Sequence, residues 1–226
     1  MGPASACSTP SPTPSATVAL PLGSLKLSGS KLYGMAVQGG IVGGGSVFSM
    51  NTDGTGFSLL HGGDGSKGTL TLIGSKIYGL SAGDGNGGQG TLFSMNLDGT
   101  GYGLLHSFTG GASDGANPRG SLTLSGTTFY GTTSAGGTSN RGTIFSINTD
   151  GTGFGLLDSF AGAPADGNAP YGDLTLSGDA STLYGMTLIG GTTGGGTVFS
   201  KSLVPEPSTA LLLVAGAGLL LRRRRG

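Results

Sequence analysis

The sequence predicts an all-β fold, a β-propeller-like array of four four-stranded blades, followed by one short C-terminal hydrophobic helix. Three observations predict it. A motif block recurs four times, apolar residues alternate within each copy, and glycine supplies 50 of the 226 residues at recurring places. Without a period, that much glycine together with 10 prolines would indicate low complexity or disorder. Four short strands in a unit of roughly 45–50 residues is the arithmetic of a propeller blade.

Two marks anchor the repeat. Tyr-Gly falls at Tyr33, Tyr78, Tyr130 and Tyr184, and Phe-Ser at Phe48, Phe93, Phe145 and Phe199; both series step by 45, 52 and 54 residues. Length variation therefore follows each Phe-Ser mark, as loops vary between fixed strands. The repeat domain covers residues 16–203, with copies at about 24–68, 69–120, 121–172 and 173–203.

Within a copy the elements follow in order. Ser121-Leu122-Thr123-Leu124-Ser125 alternates at period two, the pattern of a half-buried strand. A glycine turn leads to the second strand, around Leu32-Tyr33-Gly34, and a glycine-rich loop to the third, Thr143-Ile144-Phe145-Ser146-Ile147. The run Asn-x-Asp-Gly-Thr-Gly then turns into the fourth, Phe154-Gly155-Leu156-Leu157. Asp-Gly between strands predicts a tight type I′ hairpin, which needs positive φ at both central residues.

One blade cannot bury both its faces, so blades must stack, and the recurrent tyrosines are expected in the interfaces. The fourth copy stops without its last strand. Residues 17–20 form a spare apolar stretch, expected to supply that strand beside Val198 and Phe199 and so close the ring; because four blades make a small ring, an open arc or an assembly of two chains is the alternative.

The pattern L-Y-G, then G-T-x-F-S-x-N-x-D-G-T-G, then L-L-x-S-F, over about residues 24–203, resembles the GloVer tandem repeat of bacterial surface proteins. Three copies keep most of it; the fourth lacks the N-x-D-G turn. The layout is similar to kelch blades, but the kelch tryptophan is absent. The resemblance implies a surface repeat protein and no established activity.

Composition narrows the function classes. Seven Lys/Arg precede Val204 against ten Asp, so the body is mildly acidic and a nucleic-acid partner is disfavoured. The single cysteine, Cys7, excludes an internal disulfide framework and a cysteine-based zinc site. Asp53, Asp98 and Asp150, each in an Asn-x-Asp-Gly run, are weak candidates for a calcium loop. Turn chemistry explains the same residues and their glycines better, so no metal and no cofactor is expected. Asp64, Asp114 and Asp166 sit in Asp-Gly connections that read as turns. His61 and His106 share a repeat position with Asp158, where any polar residue serves. A catalytic constellation would break the repeat's symmetry, and none does. The chain is read as a non-enzyme.

The C-terminal run from Val204 to Gly226 carries the strongest signal. Ala210 to Leu221 is free of charge and spans about 18 Å as a helix, short of the ~30 Å hydrocarbon core. Arg222, Arg223, Arg224 and Arg225 follow directly and act as a stop that stays cytoplasmic. Pro205-Glu206-Pro207, the apolar segment and the basic end together closely resemble a PEP-CTERM sorting signal. The resemblance implies that residues 204–226 are a sorting signal recognised by an exosortase-type membrane enzyme, which removes what lies beyond the Pro-Glu-Pro region, and that such proteins accompany exopolysaccharide production and biofilms.

Residues 1–15 read as a Ser/Thr/Pro-rich linker, and Ala4-Ser5-Ala6 resembles the end of a signal peptide whose basic and apolar parts are expected upstream of Met1. The expectation is an exported protein, membrane-held as a precursor and then at the cell surface, with a structural, adhesive or exopolysaccharide-associated role. A glycan-binding propeller using Tyr102 and Phe154 as stacking platforms is the alternative, and a glycan hydrolase or lyase a distant third.

Overall fold

Strands form where apolar and small polar residues alternate, and glycine separates them. The computed structural model describes residues 18–19, 22–39, 44–63, 68–83, 85–164 and 166–203. Blade one contains β1 (Val18–Ala19), β2 (Lys26–Ser28), β3 (Lys31–Ala36), β4 (Gln38–Gly39), β5 (Ser46–Asn51) and β6 (Ser58–Gly62). Blade two contains β7 (Thr71–Ile73), β8 (Lys76–Ser81), β9 (Thr91–Asn96) and β10 (Gly103–Ser107). Blade three contains β11 (Gly115–Pro118), β12 (Thr123–Ser125), β13 (Thr128–Gly136), β14 (Thr143–Asn148) and β15 (Gly155–Ser159). Blade four contains β16 (Gly167–Pro170), β17 (Thr175–Leu176), β18 (Thr182–Gly190) and β19 (Val198–Ser202). All named pairings are antiparallel, as in β2-β3-β5-β6 and β7-β8-β9-β10. The fold is all-β and propeller-like.

The two sequence marks are cross-strand partners. Gly34 faces Phe48, Gly79 faces Phe93, Gly131 faces Phe145 and Gly185 faces Phe199. The phenylalanine ring lies over the glycine: a Cβ on Gly79 would sit 2.5 Å from Phe93 Cζ, and one on Gly34 would sit 2.6 Å from Phe48 Cζ. Glycine leaves the space and the ring fills it. That pairing fixes the constant interval between the marks.

Apolar burial lies between blades. One cluster joins Tyr33, Met35 and Val47 of blade one to Leu70, Ile77 and Phe93 of blade two. The next joins Tyr78, Leu80 and Leu92 to Phe129, Phe145 and Ile147 of blade three. A third joins Ile144 and Phe160 to Leu174 and Leu183 of blade four. Each blade thus has a forward face for its successor and a rear face for its predecessor. Tyr33 and Tyr78 are buried as expected, and burial raises both phenol pKa values. Tyr130 is only half-buried, and Tyr184 is exposed because blade four has no successor.

The inner edge of the array is held by short polar contacts. The N–H of Ser24 donates to Thr69 Oγ1 at 3.1 Å, that of Thr69 to Ser121 Oγ at 2.9 Å, and that of Ser121 to Asp173 Oδ1 at 2.6 Å. Beside this ladder Thr71 Oγ1 donates to Leu122 O and Thr123 Oγ1 to Leu174 O. Gly23, Gly68, Gly120 and Gly172 precede the rungs. A Cβ on Gly23 or Gly68 would collide with the next glycine's carbonyl, and one on Gly120 would lie 2.7 Å from Gly172 O. Only glycine permits this spacing.

The expected ring closure is not formed. Val18–Ala19 pairs with Gln38–Gly39 inside blade one, not with Val198 or Phe199. The same pairing recurs where β11 joins the far half of β13, and β16 the far half of β18. In both later blades the inner strand is broken in two by Pro-x-Gly, at Pro118-Arg119-Gly120 and Pro170-Tyr171-Gly172. The blade-one sequence carries the same Pro-x-Gly motif at Pro21-Leu22-Gly23. A local partner therefore wins over a distant edge. Among the described residues the array is an open arc, with three interfaces among four blades.

Among the described residues no helix is long and apolar enough to cross a membrane. The expected C-terminal helix falls at residues 204–226, outside the described residues.

Candidate functional site

The weak metal candidates resolve into a repeated turn. Asp53 Oδ1 accepts from both the N–H and the Oγ1 of Thr55, at 2.9 and 2.7 Å. Asp98 does the same with Thr100, and Asp150 with Thr152. Asn51, Asn96 and Asn148 donate through Nδ2 to the same threonine hydroxyls. The hydroxyl bond first, then the amide, holds each aspartate pKa below its usual value. Among the described residues no group of three His, Cys, Asp or Glu side chains is placed to hold a metal ion.

The turn is not the tight I′ hairpin. Positive φ falls on Gly54 and Gly56, not on Asp53, so the connection between β5 and β6 is a longer loop. Aspartate capping of Thr55 N–H takes the place of the two-residue turn. The first glycine also docks the loop: a Cβ on Gly99 would sit 3.1 Å from Leu60 O, and one on Gly151 3.2 Å from Leu105 Cδ2 of the preceding blade.

His61, His106 and Asp158 share one role, and it is inter-blade contact. A β-bulge in the last strand pair of blades one to three shifts the register beside these residues. A bulge lets two consecutive residues lie on the same face. Leu60, Leu105 and Leu157 accordingly join the inter-blade clusters, and the following polar residue reaches the next blade. His61 stacks on Tyr102 at 3.7 Å and His106 on Phe154 at 3.7 Å, while Asp158 accepts from Lys201 Nζ at 3.0 Å. Tyr102 also packs on Phe93, and Phe154 on Phe145. Their rings are committed to neighbouring blades, which overturns their reading as free stacking platforms.

Asp114 is the residue that sequence reasoning undervalues. It is buried; Oδ2 accepts from Thr109 N–H and Oγ1, and Oδ1 accepts from Gly115 N–H at 2.7 Å and lies 3.1 Å from His106 Nε2. Asp166 repeats part of this with Ala161 and Gly167. These carboxylates fasten the loop that returns to the inner edge. Pro205, Glu206, Pro207 and Arg222, Arg223, Arg224, Arg225 lie outside the described residues.

Residues 69–217 match the family described as the Gloeobacter/Verrucomicrobia repeat. The chain belongs to this repeat family. No curated protein matches it significantly. Among solved structures, TolB from Acinetobacter baumannii is 13% identical with a TM-score of 0.51, covering 78% of this chain and 41% of that one. A nidogen/laminin complex is 18% identical with a TM-score of 0.48, covering 70% and 52%. The Niastella koreensis GH74 enzyme is 20% identical with a TM-score of 0.49, covering 77% and 27%. The repeat-family chain thus spans about half of these chains or less. At such identities the TolB likeness supports the propeller fold alone.

Proposed function

We propose that this repeat protein is exported, sorted to the cell envelope by an exosortase-type membrane enzyme, and serves there as a non-catalytic structural or adhesive element associated with exopolysaccharide. The observation that carries the reading is the order of parts after Leu203. Pro205-Glu206-Pro207, an uncharged run and Arg222 to Arg225 directly follow a repeat body. Flanking prolines fix φ and lack backbone donors, so the sequence around Glu206 disfavours both sheet and helix. An extended segment of that kind is what a processing enzyme grips. The short apolar run holds the precursor only transiently, and the arginines keep its end inside.

The body's chemistry fits the role. Its exposed turns present Asp, Asn and Thr in three similar copies, which suits many weak polar contacts with hydrated polysaccharide. Tyr102 and Phe154 are used between blades, which disfavours a dedicated lectin built on them.

Intact mass of the protein recovered from an exosortase-bearing host tests the reading. The mature chain is expected to lack everything after the Pro-Glu-Pro region. Glu206→Ala is expected to keep its tail and remain in the inner membrane. Surface material still carrying Arg222 to Arg225 would contradict the proposal.

A further inference from the structure

The two ends of the arc expose the register positions that the three inner interfaces bury. Val47, Leu92 and Ile144 occupy the same register in blades one to three and are at most 1% exposed; Val198, their blade-four counterpart, is 78% exposed. Met186 and Leu188 on β18 are also exposed, at 63% and 55%. On the rear face of blade one, Leu27 is 63% exposed; of its counterparts, Leu72 and Leu176 are partly buried against inter-blade clusters and Leu124 is less exposed, at 37%. Phe57, counterpart of Tyr102 and Phe154, is exposed for want of a preceding histidine.

The polar ladder ends in the same complementary way. Each rung runs from a backbone N–H of one blade to a side-chain oxygen of the next. Among the described residues, the ladder leaves the Asp173 N–H at its forward end and the Ser24 hydroxyl at its rear end. A Cβ on Gly172 would meet no atom within 4 Å, although each glycine before it abuts the next blade's carbonyl.

We infer that a second copy of this chain docks its blade one onto blade four of the first, head to tail, repeating the interface that the chain builds three times within itself. Val198, Met186 and Tyr184 then meet the rear face around Leu27 and Phe57, Asp173 N–H donates to Ser24 Oγ, and Gly172 abuts the carbonyl of Gly23. The contact is heterologous, so each copy offers one forward and one rear face. This inference concerns the repeat body and does not depend on how the tail is processed.

The test uses the full chain in mild detergent, read by sedimentation. The wild type is expected to self-associate. Met186→Asp, which spoils only the forward face, and Leu27→Asp, which spoils only the rear face, are each expected to weaken association at least about tenfold, because a charge would be buried in the contact. Mixing the two variants should restore a one-to-one dimer, since one sound forward face and one sound rear face remain. Gly172→Ala, which meets nothing in the single chain, should also weaken association without lowering the melting temperature of the dissociated chain; it serves if either aspartate variant fails to fold. A monomeric wild type, association indifferent to all three substitutions (contact through the tail or another surface), or no dimer on mixing would overturn the inference.

Discussion

Leu92 and Val198 occupy the same place in different copies of one repeat, yet Leu92 is wholly buried and Val198 is 78% exposed. Tyr78 and Tyr184 differ in the same direction, at 6% and 46%. The blades share their strand pairing and their phenylalanine over glycine. What differs is the neighbour. Within a blade the sheet satisfies the backbone; between blades the side chains become a core. Apolar pattern in this protein is therefore a property of the array, and a terminal blade carries half a core exposed. The head-to-tail association would complete it, so the comparison is best drawn in the dissociated chain, for which Met186→Asp is the background.

The largest expected contrast is in side-chain truncation. Leu92→Ala should destabilise the chain by about 2–5 kcal/mol, the range for a fully buried leucine, whereas Val198→Ala should stay within about 0.5 kcal/mol. Denaturant midpoints measure both. Equal losses would break the comparison by showing that blade four is already covered.

The inner glycines give the next contrast. Gly120→Ala forces a methyl against the Gly172 carbonyl, a backbone atom that cannot turn aside, and should cost about 1–3 kcal/mol. Gly172→Ala at the same repeat position meets nothing. It should be neutral, or stabilise by about 0.4–1 kcal/mol through loss of unfolded-chain freedom. Thermal melts of the two variants separate these outcomes.

The smallest effect concerns acid. Blade four replaces the short turn of the other blades with Ser177-Gly178-Asp179-Ala180-Ser181 between β17 and β18. Hydroxyls of Ser177 and Ser181, with the Ser181 N–H, hold the Asp179 carboxyl at about 2 against an ordinary 3.8. A lowered folded pKa means its stabilisation is fully present above the ordinary value and is lost as pH falls toward about 2. Asp179→Asn should therefore flatten the fall in melting temperature across that window. An unchanged acid profile would show that this turn contributes nothing to blade four.

Much of this fold is legible in the residues. Tyr-Gly and Phe-Ser keep a constant interval because Gly79 and Phe93 face one another across the sheet, so the spacing encodes a contact. Residues 17–20 are misplaced when their apolar character is weighed without their Pro-x-Gly continuation. Aligned on Pro21-Leu22-Gly23, they match the run before Pro118-Arg119-Gly120, and the local pairing follows. Asp114 looks like a turn residue because Asp-Gly usually is one; its burial arises from a loop folding back onto His106, which no local pattern records. The roles of His61 and His106 are hidden for a similar reason. A bulge turns them toward the next blade, and bulges carry no fixed sequence mark.

The central claim is that neighbouring blades, rather than single blades, supply the core. Amide hydrogen exchange on the dissociated chain tests it most directly. The account predicts that amides of β8, β9, β13 and β14 exchange on the order of a hundredfold more slowly than those of β19, whose blade is packed on one face only. Protection of β19 equal to that of β9 would contradict it.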